Sequence, residues 1–190
     1  MTNLLDQAEL VVKHRPKAVE LRVGYDVYDA QGSALGSVVQ VGRDNLERTL
    51  RPQRADNAQT ALDMIDASGE VLLRLTHIQA LKSSLVVAYP DGSDAGRIRL
   101  ENIVGKSRFA LEVAGSSVGA MAAQTWRKRN FVIADSDGAA VGRIDMTKGS
   151  SADFAHENDY RVQLAQPLAD PLRSLAAAAV IAVDMILWER

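Results

Sequence analysis

The stretch SLAAAAVIAVDMILWER, Ser174 to Arg190, is the most apolar part of the chain, and where it goes decides the fold. Its unbroken apolar run, Leu175 to Val183, stops at Asp184 before Met185, Ile186, Leu187 and Trp188. A membrane-spanning helix needs about 20 consecutive apolar residues, whereas runs of about 10–14 belong more often to buried core helices. Alanine has the highest intrinsic helix propensity, and Pro171 suits a first helical turn. The stretch therefore reads as a helix from Pro171 to Leu187, and a helix apolar on nearly every face must be enclosed on every side. The preceding sequence has to supply the enclosure.

It supplies a repeat. The segments YDVYDAQGSALGSVV, LDMIDASGEVLLRL, VVAYPDGSDAGRIRL, ALEVAGSSVGAMA and FVIADSDGAAVGRID each pair two β-like runs around a turn glycine: Gly32, Gly69, Gly92, Gly115 and Gly138. The last four are spaced 23 residues apart, and a second glycine follows four positions later at Gly36, Gly96, Gly119 and Gly142. A fixed period marks repeated supersecondary units. Aspartate beside glycine closes a turn and tolerates positive φ, and β-branched or aromatic residues precede each turn, so each unit reads as a hairpin. The second glycine marks a bulge, a bend or a close backbone approach. Five hairpins, ELVVK near the start and DYRVQLAQ before the helix make about twelve strands in meander order. A barrel of that size has room for more than its own side chains. The expectation is a single domain over residues 1–190: a mainly β, closed antiparallel barrel of about twelve strands around a buried C-terminal helix.

Composition narrows the function. Lys plus Arg number 22 against 24 acidic residues, a formal charge of -2, so no global drive toward nucleic acid exists. With no cysteine there is no disulfide frame or thiolate chemistry, which fits a reducing compartment. MTNLLDQAELVV lacks a basic region before an apolar one and does not read as a signal peptide. The expected localisation is cytoplasmic, with a peripheral position at the inner face of the membrane.

The hairpin units YDVYDAQGSALG and FVIADSDGAAVGRI, followed by DYRVQLAQPLADPLRSLAAAAVIAVDMILWE, resemble the tubby-like superfamily, and within it the LURP-one-related and phospholipid scramblase-related families. The resemblance runs from about Leu21 to Trp188 and is strongest where a strand and a polar link precede an apolar helix bearing one Asp. It implies a twelve-stranded barrel around the helix, no catalytic centre, no cofactor, and association with membrane phospholipids or phosphoinositides. The chain departs from scramblases in lacking a proline-rich leader and a cysteine cluster. Their acidic calcium segment is poorly matched by HENDYRVQLAQPLADPLR, where Glu157, Asp159 and Asp170 are scattered. The alternatives are a scramblase with a membrane-inserted C-terminal helix and a protein-binding module without lipid affinity.

Other motifs are weighed against this frame. GSSVG, Gly115 to Gly119, matches a nucleophile elbow at Ser117, with His156 later in the chain, but the elbow needs a strand, a turn and a helix, and sister units hold GSALG, GSDAG and GAAVG in the same slot. GKS at Gly105 lacks the first glycine of a phosphate loop, because Leu100 stands there. DSDG at Asp135 reads as a turn, not a calcium loop. His14, His77 and His156 show no metal-ligand spacing and read as surface or strand-end residues, so no metal is expected. Two basic clusters remain. WRKRN places Trp126 beside Arg127, Lys128 and Arg129 and is the candidate contact for anionic lipid headgroups. Gly42 to Thr60, with Arg43, Arg48, Arg51 and Arg54, is the longest segment without strand character. Asp184 in a buried helix must be hydrogen-bonded or lie at the barrel mouth, in a structural role, because an unpaired buried carboxylate costs several kcal/mol.

Overall fold

The computed structural model describes residues 4–15, 23–41, 58–80, 82–102, 104–148 and 158–188. After a 3-10 turn at Leu4–Asp6 come β1 (Glu9–His14), β2 (Gly24–Tyr28), β3 (Ala34–Val41), β4 (Ala58–Asp66), β5 (Val71–Gln79) and β6 (Ser84–Ala88). There follow β7 (Asp94–Asn102), β8 (Arg108–Val113), β9 (Ser116–Ala123), β10 (Asn130–Asp135), β11 (Ala140–Lys148), β12 (Asn158–Leu164) and the helix α1 (Leu172–Leu187). Each strand pairs antiparallel with its neighbours in sequence, and β1 closes on β12. The barrel of twelve strands around a C-terminal helix is therefore the architecture read from the sequence. Ala58–Thr60, assigned above to a long segment without strand character, belongs to β4; a β-ladder with β5 outweighs its polar composition. The rest of that segment, residues 42–57, lies outside the described residues, as do His156 and Glu157.

Two-residue alternation builds the interior. Leu10 and Val12, Leu62 and Met64, Leu73 and Leu75, Leu85 and Val87, Phe109 and Leu111, and Phe131 and Ile133 all point inward and are buried. The wall's other face carries charge in mid-strand, at the exposed Arg74, Arg97 and Arg161. A barrel that spans lipid needs the opposite arrangement, an apolar band outside.

The lumen is filled by α1, whose residues from Ser174 to Ile186 are all buried. It packs mainly on β5, β6, β7 and β12. At about 1.5 Å per residue its length of some 24 Å matches the wall. Asp170, just before the helix, accepts the Ser174 backbone N–H at 3.2 Å and its hydroxyl at 2.6 Å, which satisfies groups a helix start otherwise leaves orphaned. No helix among the described residues is long and apolar enough to cross a membrane.

The repeat has a common geometry. All five turn glycines have φ between 81° and 88°. In the turns after β2, β4 and β10 one aspartate (Asp29, Asp66 or Asp135) accepts two backbone N–H groups from the loop. In every hairpin the ladder skips the residue three positions after the turn glycine: Leu35, Leu72, Ala95, Val118 and Val141. Each is apolar and packs on or within the core. A bulge bends its strand and increases local twist, and the five equivalent bulges all fall toward the same end of the barrel. The second glycine follows each bulge except after Leu72, and there the neighbouring backbone comes close. A Cβ on Gly36 would lie 2.0 Å from the Ile65 carbonyl oxygen, and one on Gly119 would lie 2.4 Å from that of Ala134. Around Gly32 a Cβ meets nothing within 4 Å, so only its φ is at stake.

This difference is testable. Gly36→Ala is expected to destabilise the fold by about 3 kcal/mol or more, because backbone must move, whereas Gly32→Ala should cost about 1–2 kcal/mol for its left-handed conformation. Urea unfolding of the two variants checks the order.

Hairpin turns, the start of α1 and the 3-10 turn share one end of the barrel. The connectors between hairpins and the C-terminal end of α1 share the other.

Candidate functional site

Two features at the connector end concentrate polar chemistry. The first is buried. Asp184, 1 % exposed, accepts the Tyr25 hydroxyl at 2.8 Å and the Tyr160 hydroxyl at 2.5 Å. Both tyrosines are themselves fully enclosed. They lie early in β2 and β12, on inward positions, at the level where the helix ends. His14, the last residue of β1, stacks on Tyr25 with ring centroids 4.9 Å apart and brings Nδ1 to 3.9 Å from Asp184. One carboxylate thus joins the last turns of α1 to the seam where β12, β1 and β2 close the barrel. The carboxylate is enclosed by these side chains, and the arrangement works as a latch between helix and wall.

His77 is neither a surface nor a strand-end residue. It falls on the inward parity of β5 after Leu73 and Leu75 and is buried, and its Nε2 has no hydrogen-bond partner among the described residues. Burial pushes its pKa below the ordinary 6.5. As pH falls, the unfolded chain therefore takes up this proton first, so the stability His77 contributes is full above about 6.5 and is lost toward its lower folded value. The unfolding midpoint should decline between pH 7 and pH 5, and His77→Leu should flatten that window. A pH series of thermal melts on both proteins measures it.

The second feature is exposed. Trp126 to Arg129 of WRKRN lie in the connector between β9 and β10, held by backbone hydrogen bonds from Gln124 N–H to the Asn130 carbonyl at 2.8 Å and from Met146 N–H to the Arg129 carbonyl at 2.7 Å. Lys128 turns the chain at φ 54°. Trp126 is 72 % exposed, with the Arg127 guanidinium 5.4 Å from its ring centroid. Arg127 and Arg129 are exposed and Lys128 half-buried, so an indole and cationic side chains share one tight loop.

The remaining sequence candidates separate. Ser117 lies in β9 and donates its hydroxyl to the Gly119 carbonyl at 3.2 Å, in a strand–turn–strand context without the helix an elbow requires. Asp159 faces the Lys13 charge at the start of β12, while Asp170 caps α1 at the opposite end, so they share no loop. Among the described residues no cluster of three or more His, Asp or Glu side chains could hold a metal. Sequence reasoning named Asp184 without its tyrosines. Their signal is the inward parity of a polar ring at the level of the helix carboxylate. No family model, curated protein or solved structure matches the chain.

Proposed function

We propose that the protein is a non-enzymatic binding module that associates peripherally with anionic phospholipid surfaces, phosphoinositide-bearing ones included, at the cytoplasmic face of a membrane. The observation that carries the reading is Trp126, largely exposed in a connector with Arg127, Lys128 and Arg129. An indole suits the headgroup region, where its apolar body and N–H are both accommodated, and basic side chains near an anionic surface are worth about 1 kcal/mol each. Placement of α1 inside the barrel argues against the alternative in which that helix inserts into lipid. A tubby-like lineage is part of the proposal; the hairpin and helix motifs support it, and the barrel is compatible with it.

Co-sedimentation with phosphatidylserine or phosphoinositide vesicles tests the reading. Binding should weaken with salt and vanish on phosphatidylcholine alone. Neutralising Arg127, Lys128 and Arg129 to Gln should weaken it roughly 100-fold, three charges at the per-residue value above. A protein that stays in the supernatant with every vesicle would instead be a protein-binding module.

A further inference from the structure

We infer that the β5–β6, β7–β8 and β9–β10 connectors together, rather than the β9–β10 connector alone, meet the anionic bilayer, so that the molecule docks end-on with the C-terminus of α1 toward the lipid. The inference rests on the lipid reading and specifies its surface.

Two independent observations carry it. The first is apolar exposure. Among the described residues the large hydrophobic side chains left exposed are Val41, Val104, Trp126 and Trp188, and every one lies at this end. Val41 closes β3, Val104 is 90 % exposed between β7 and β8, and Trp188 follows the last turn of α1. Burial in the headgroup layer would remove from water apolar surface that the fold itself leaves uncovered.

The second is charge. Three successive connectors around the rim, residues 80–83, 103–107 and 124–129, carry Lys82, Lys106, Arg127, Lys128 and Arg129 and no acidic residue. The nearest acid on β7, Glu101, is paired with Arg108 at 2.8 Å. The opposite end is acidic: Asp29, Asp66, Glu70, Asp91, Asp94, Asp135 and Asp137 sit in or beside the hairpin turns, which contain no Lys or Arg. Arg173 there is paired with Asp6 and Asp170. Along the wall, Arg99 pairs with Glu112 and Arg161 with Glu9. Among the described residues the charge separation thus runs along the barrel axis, and an anionic surface attracts one end while repelling the other.

The only two tryptophans of the chain are Trp126 on the rim and Trp188 at the centre, which makes docking geometry directly readable. Trp188→Phe and Trp126→Phe, each leaving one tryptophan, are mixed with phosphatidylserine-containing vesicles bearing brominated acyl chains. End-on docking predicts that both remaining tryptophans are quenched. Quenching of one alone, or of neither in a protein that still co-sediments, overturns the end-on geometry and leaves the lipid reading standing. Absence of co-sedimentation removes both. Lys82→Gln with Lys106→Gln, which leaves both tryptophans and WRKRN intact, should weaken vesicle binding about 30-fold; unchanged affinity also overturns the inference.

Discussion

Removing residues 172–190 is expected to abolish the folded barrel, not to release a soluble remainder. The inner rows of β1–β12 pack on a helix whose residues from Ser174 to Ile186 are all buried. Each large side chain lost from a core costs about 2–5 kcal/mol, partly through the cavity it leaves. Leu175, Val180, Ile181, Val183, Met185 and Ile186 together exceed a typical folding stability of about 5–15 kcal/mol. Near-ultraviolet circular dichroism and gel filtration of the truncated chain should show lost tertiary packing and aggregation. A folded, monomeric truncation would mean that the helix is dispensable to the barrel.

The second large effect is expected at the latch. Asp184→Ala removes the acceptor that the buried Tyr25 and Tyr160 hydroxyls share, and each buried hydrogen bond lost costs roughly 1–3 kcal/mol. A combined loss of about 3 kcal/mol or more in denaturant unfolding is expected. Tyr25→Phe and Tyr160→Phe should each cost about 1 kcal/mol and couple to Asp184 in double-mutant cycles, because all three groups form one network. An Asp184→Ala midpoint equal to the parent's would show that the helix is held by packing alone.

Much of this architecture was legible in the sequence for a local reason. Hairpins between adjacent strands need only turn chemistry and alternation, and both are written within some fifteen residues around Gly32, Gly92 or Gly138. The helix was legible because an apolar run with one carboxylate is too short for lipid and too greasy for water. The bulges were only half legible: the second glycine signalled a local irregularity, but the skipped residue emerges from strand register, which pairs Val27 with Gly36 and Tyr28 with Ala34.

The latch was less accessible, since Tyr25 and Asp184 are 159 residues apart and meet only because the barrel closes. His77 was misread because its polarity suggested surface, while the parity of Leu73 and Leu75 placed it inside. The rim was partly read. WRKRN is contiguous and stood out, but Lys82, Lys106 and Val104 are isolated in sequence and gather at one end only through the alternation of turns and connectors.

Hydrogen–deuterium exchange on the full-length protein, with and without phosphatidylserine vesicles, tests the central claim most directly. The account predicts added protection at residues 80–83, 104–107 and 124–129, with Leu172–Leu187 equally protected in both states. Connectors that exchange unchanged on bound protein, or a helix that loses protection as it leaves the barrel for the lipid, would contradict it.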